Sequence, residues 1–272
     1  MKRLNYYASG LLLFSMVLFS CQKDALDKKS AALSDQSSQS KSSNQLKENT
    51  FYGPQVQLGD GKVRSFFTVT HSGVPQEIGV EIADGALSGL PTGDHLSSVL
   101  RLHPKAIEST TFDHISFDWN PAGHPPFFFE FPHFDIHFYM ITQSERMQIP
   151  PYSPSTASLF NNLPSADYIP PTYSAGPGGE PMMGKHWSPP PPTFLPFSKV
   201  MIYGSFNGKF IFTEPMITLD YLLSRVNFST PYPQPQKFAE AGYYPTRYNI
   251  YTDAKTKAQY ISLTNFVWRN AN

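Results

Sequence analysis

"PHFDIHFYM", residues 132–140, sets His133, Asp135 and His137 two positions apart inside an aromatic run. Imidazole and carboxylate are the ligands that borderline divalent cations take when no thiolate is offered. Strict alternation predicts a strand, with Phe131, His133, Asp135, His137 and Tyr139 on one face and Pro132, Phe134, Ile136, Phe138 and Met140 on the other. The first set is a polar stripe that is costly to bury without partners. At about 3.3 Å per residue, His133 and His137 stand roughly 13 Å apart at Cα. Two imidazoles on one ion, each bound at about 2 Å, span only around 12 Å. The chelating pair expected is therefore His133 with Asp135, or Asp135 with His137, unless a bulge bends the strand. A helical His-x-x-x-His is opposed by Pro132 and by the alternation.

Further ligands must come from remote segments. His186 lies in "MMGKHW" and Glu214 ends "VMIYGSFNGKFIFTE", where alternation groups it with Met201, Tyr203, Phe210 and Phe212. A carboxylate in that company needs a partner, a cation or a proton. His124, in the turn "NPAGHPP", and His114 are additional candidates, with surface or capping roles as the plainer reading. Asp113 and Asp118 read as turn and strand-end residues, and His71, His95 and His103 as incidental. The plainer account of the stripe is a satisfied polar network between sheets, and of Glu214 an ion pair with Arg225 or Arg247. A divalent metal is the cofactor expected; zinc, iron, manganese and nickel are not distinguished by these ligands. Cys21 is the sole cysteine, so the folded part has no disulfide and no thiolate ligand. Gly-x-Ser-x-Gly, Walker, Gly-x-Gly-x-x-Gly and His-Glu-x-x-His patterns are missing from the sequence, and no nucleotide cofactor is expected.

The elements that must position these residues are mostly strands. Residues 62–82 form two alternating runs broken by Ser72-Gly73, and Asn207-Gly208 is the two-residue loop of a type I′ hairpin. A third pair flanks Asp253 to Lys257. Helix is scarce: Ala86 to Leu90 allows one turn, and residues 215–225 suggest a helix with Pro215 in its first turn. The proline-dense stretch from Pro150 to Pro196 carries enough aromatics to pack on the body. The expected fold is mainly β, an antiparallel sandwich or barrel with long proline-rich loops and one or two short helices, forming a single domain over residues 51–272.

The chain starts with Lys2 and Arg3 and a short apolar run into Leu18-Phe19-Ser20-Cys21, which resembles a bacterial lipobox. Residues 1–20 are expected to be a lipoprotein signal peptide. Residues 21–50 are then a lipidated Cys21 and a Ser/Lys/Gln-rich tether, whose composition cannot bury a core. This predicts a cell-envelope protein held to a membrane by lipid on Cys21, at the outer membrane or a periplasmic or cell-surface face. Without residues 1–20 the chain has 19 basic and 21 acidic side chains, which forms no phosphate-binding field and argues against nucleic acid as a partner.

The segments "DHISFDWNPAGHPP", "PHFDIHFYMI", "MMGKHW" and "YGSFNGKFIFTEPM", in this order, resemble the TTHB-type bacterial domain of unknown function over about residues 52–225. The resemblance implies a β-rich fold, an exported or lipid-anchored protein and homo-oligomerisation. It implies no reaction. Family members follow the Met-Gly-x-His-Trp motif with an acid where this chain has Ser188, so no ligand is carried over to that position. The functional expectation is an envelope lipoprotein whose His/acid pocket holds a divalent metal or a small polar ligand. The alternatives are a cupin-like metal-dependent enzyme, with His133, Asp135 or His137, His186 and Glu214 around one ion, and a structural, oligomer-forming lipoprotein without a catalytic site.

Overall fold

The computed structural model describes residues 48–191 and 195–272. The expected signal peptide, Cys21 and all but the end of the tether lie outside the described residues. The first strand begins at Glu48, ahead of the domain start expected at residue 51. In chain order the strands are β1 (Glu48–Tyr52), β2 (Val56–Leu58), β3 (Gly61–Thr70), β4 (Pro75–Ile82), β5 (Leu96–Arg101), β6 (His114–Asn120), β7 (His133–Tyr139), β8 (Ser174–Ala175), β9 (Lys185–Ser188), β10 (Lys199–Phe206), β11 (Lys209–Thr218), β12 (Phe228–Pro231), β13 (Gly242–Thr252) and β14 (Gln259–Arg269). They build two antiparallel sheets that pack as a sandwich. One has the order β1-β3-β4-β14-β13-β12, with β2 added on β3; the other runs β5-β6-β7-β11-β10-β9-β8.

Turn chemistry sets the hairpins. Asn207 and Gly208 both take positive φ, 47° and 81°, as the type I′ loop between β10 and β11 requires. Between β13 and β14 the Asp253 carboxylate accepts the backbone N–H groups of Lys255 and Thr256 and closes that turn. The sandwich core is the apolar half of each alternation: Val63, Phe67, Ile78, Val80, Ile261 and Leu263 from one sheet join Ile115, Phe117, Trp119, Phe134, Ile136 and Phe138 from the other. Each such side chain contributes about 1.5–3 kcal/mol when fully buried.

The strands β6 and β7 are buried at every residue, so their outer faces are covered too. Two smaller apolar clusters provide the cover. Ile149 and Phe160, from the segment between β7 and β9, pack on Tyr139, Ile211 and Phe212. Phe129 and Phe197 pack on Ile202 and Met216. Phe160, together with Ile169 and Tyr173 in the main core, holds the described part of the proline-dense stretch on the body of the protein, as its aromatics suggested.

Helix is rearranged relative to expectation. Four short helices occur among the described residues, α1 (Pro104–Ser109), α2 (Gln143–Met147), α3 (Ala157–Asn161) and α4 (Leu219–Leu223), where one or two were expected. Residues 86–90 form turns and bends instead of a helical turn. Pro215 lies inside β11, opposite Met201, and not at a helix start. Lacking an N–H, it leaves a gap in the β11–β7 ladder, whose pairs resume at Met216 and Asp135. The helix starts only after Thr218, whose hydroxyl accepts the Tyr221 N–H as its cap.

Candidate metal centre

Cross-strand register brings the ionisable residues onto the outer face of the second sheet. Asp118 pairs with Asp135, Asn120 with His133 and Ser116 with His137. The register that joins Thr213 to Phe138 and Met216 to Asp135 sets Glu214 across from His137. His186, on β9, pairs with Gly204, which in turn pairs with Phe212. Directly opposed residues share a face, so side chains from β6, β7, β11 and β9 converge between the two apolar clusters.

They form two groups with ligand atoms mutually within 4.8 Å: His124, His133 and Asp135 in one, His137, His186 and Glu214 in the other. In the first, His133 Nε2 stands 3.1 Å from Asp135 Oδ1 and His124 Nε2 stands 3.3 Å from Asp135 Oδ2. In the second, Glu214 Oε2 lies 3.5 Å from His137 Nε2 and 3.8 Å from His186 Nε2. Each group therefore offers two imidazoles and one carboxylate.

Proton bookkeeping shows what these atoms lack. His133 Nδ1 lies 2.6 Å from the Phe131 carbonyl and His124 Nδ1 lies 2.9 Å from the Pro125 carbonyl. A carbonyl only accepts, so each Nδ1 carries the hydrogen, and in the neutral ring Nε2 is left with a lone pair. His137 repeats the pattern, its Nδ1 donating to Asp118 Oδ2 at 3.1 Å. In the neutral rings the Nε2 lone pairs of His133 and His137 thus face carboxylate oxygens, which is repulsive unless a proton or a metal cation lies between them, whereas His124 Nε2 is hydrogen-bonded to Asp135 Oδ2, an interaction that raises the His124 pKa against the effect of burial. Indeed His133 Nε2, Asp135 Oδ1, His137 Nε2 and Glu214 Oε2 are buried without a hydrogen-bond partner. Anchoring Nδ1 on a carbonyl or carboxylate while Nε2 points to a common centre is how metal-binding histidines are held.

The surrounding groups reinforce this arrangement. Asp118 is fully buried; it also accepts from Ser116 Oγ, which in turn accepts from buried Arg146 Nη2 at 3.1 Å, and His95 Nε2 approaches within 3.6 Å. Burial alone would raise the Asp118 pKa, but the hydrogen bonds from His137 and His95 hold it well below the usual carboxylate range. Asp135 is likewise held low against burial, first of all by its hydrogen bond with His124, and Asn120 Nδ2 donates to its Oδ2 at 2.8 Å. Glu214 goes the other way, raised well above 4.5 by burial and by the nearby charges of Asp135 and Asp118. Burial pushes His186 down to about 3, so its ring stays neutral and able to bind a cation.

Measured against the sequence reading, His133, Asp135, His137, His186 and Glu214 all lie on this face, and His124 joins them from its loop. They do not surround one ion as the cupin-like arrangement required, because the strand rise sends His133 and His137 to different groups. His114 belongs to neither group; its Nδ1 lies 2.8 Å from Asp113 and its ring stacks on Tyr139. Among the described residues Glu214 has no arginine partner: Arg225 pairs with Asp84 and Arg247 reaches Ser229. Its expected neighbours also change. Gly204 pairs with Phe212 but Ser205 with Phe210, so Ile211 is an extra residue in β11. That bulge slips the register by one, leaving Phe212 beside Glu214 and sending Met201, Tyr203 and Phe210 to the main core. Asp118, read as a strand-end residue, sits in mid-strand and orients His137, and His95, read as incidental, contacts it.

Gly204 is needed where it stands, since a Cβ there would run into the Phe212 ring. That ring lies 4.8 Å from the His137 ring and 5.4 Å from the His186 ring, centroid to centroid. Gly204→Ala is expected to cost about 1–3 kcal/mol by overpacking, read by urea denaturation, and an unchanged midpoint would contradict this packing.

No protein-family model matches the chain, and no curated protein or solved structure matches it either. Among the described residues, no helix is long and apolar enough to cross a membrane.

Proposed function

We propose that this protein is a lipid-anchored cell-envelope domain that binds divalent metal through the outer face of its second sheet. The observation that carries this reading is the set of buried Nε2 and carboxylate oxygen atoms that face one another with no hydrogen-bond partner among the described residues. Both groups are of the two-histidine, one-carboxylate type found around zinc. The four segments that resemble the TTHB-type domain supply Asp118 and His124, then His133, Asp135 and His137, then His186, then Glu214. Membership of that family is inferred from those four segments alone. The lipid anchor rests on the residues leading into Cys21.

A metal-dependent enzyme is the second reading. It is favoured because each group supplies three ligands, one fewer than a closed tetrahedral site, and because His124 and His186 are partly exposed, at 39% and 31% of their side chains.

The test is elemental analysis of protein produced from Gln22 onward and dialysed against metal-free buffer. A transition metal retained in whole-number ratio to the chain is the expected result. Protein that stays metal-free, even after incubation with zinc, manganese, iron or nickel salts, would leave the face as a polar network only.

A further inference from the structure

Building on the metal reading, we infer that the two groups work as one ligand site, with two divalent ions side by side whose open positions together take a single oxyanion, such as a phosphate group or a carboxylate.

The first support is spacing. Asp135 belongs to one group and His137 to the other, and they are alternate residues on the same face of β7, so their Cα atoms are about 7 Å apart. A single shared oxygen, bonded at about 2.0–2.2 Å to each ion, joins ions no more than about 4 Å apart. A bridge of two oxygens on one central atom reaches farther, which suits neighbouring groups set by a strand repeat.

The second support is charge. The face holds the carboxylates of Asp118, Asp135 and Glu214, with Arg146 linked to Asp118 through Ser116. Two doubly charged ions would outweigh these carboxylates, and Arg146 adds to the excess. A buried surplus of positive charge is costly unless an anion neutralises it.

The third support is access. The more exposed histidine of each group, His124 in one and His186 in the other, is the solvent-facing member, while Asp135 is 8% exposed and His133, His137 and Glu214 are nearly or fully buried. An incoming ligand reaches both groups past these two rings.

The experiment uses protein from Gln22 onward, loaded with zinc, and two single variants, Glu214→Gln and His133→Ala, each aimed at one group. His124→Ala serves as a milder change on the first group should His133→Ala not fold by circular dichroism. Metal content is measured first, then binding of inorganic phosphate and of acetate by calorimetry. The expected result is two ions in the parent and one in each variant, with phosphate or acetate binding at least about tenfold tighter to the parent; which of the two binds better identifies the oxyanion class. A parent that retains no metal fails the metal reading itself. A parent that holds two ions yet binds both anions no better than the variants, or one that holds a single ion, overturns this inference and leaves metal binding intact.

Discussion

Treating the metal-loaded domain with a chelator is expected to lower its thermal midpoint by roughly 10 °C for each ion removed. An ion present at a thousand times its dissociation constant stabilises the folded state by about 4 kcal/mol, and in a domain of this size each kcal/mol moves the midpoint by about 2–4 °C. The effect should be large here because the ion would relieve a conflict already built into the fold. Without it, burial and the charges of Asp135 and Asp118 push the Glu214 pKa well above 4.5, and the Nε2 atoms of His133 and His137 have no hydrogen-bond partner among the described residues. Differential scanning calorimetry with and without chelator, followed by zinc add-back, measures the shift. A variant that has lost one group should show about half of it. An unchanged midpoint in protein shown to have held metal would mean that the ion sits elsewhere.

Asp118→Asn is expected to weaken metal binding at the His137, His186 and Glu214 group by about 10–100-fold, the usual cost of losing an outer-shell partner, while leaving the His124, His133 and Asp135 group nearly unaffected. The carboxylate only accepts, so it fixes the hydrogen of His137 on Nδ1 and leaves Nε2 for the ion. An asparagine can turn its amide to donate instead, which favours the other tautomer and places a hydrogen where the metal would bind. The substitution also removes the anion that Arg146 reaches through Ser116. Competition against a chromophoric chelator resolves the two affinities. Equal weakening of both, or none, would make Asp118 a structural residue only.

Much of the site could be read from the sequence wherever period-two alternation was unbroken. The sequence 132–140 predicted the face of β7 correctly, and the strand rise correctly kept His133 and His137 apart. The same alternation runs through "HISFDWN", where His114, Ser116, Asp118 and Asn120 oppose Ile115, Phe117 and Trp119. Asp118 was legible there, and was missed because an aspartate is more often a turn residue than a mid-strand one. The neighbours of Glu214 were not legible. The type I′ turn fixes a register that a single extra residue, Ile211, then shifts, and nothing in the local composition announces a bulge. Pro215 misled for a similar reason: it suits a helix start, yet a central strand tolerates it where one side of the ladder lapses. Arg146 was out of reach, because its role depends on α2 folding back over Ser116, which no short-range pattern encodes.

The aromatic covering of the second sheet has a kinetic consequence. Phe160 and Ile149 press on Tyr139 and Phe212, and Phe129 and Phe197 close in from the other end, so the innermost liganding atoms meet bulk water past the partly exposed rings of His124 and His186. Entry and loss of whatever they hold would then be timed by how often those two rings swing aside, as well as by the strength of the bonds beneath them.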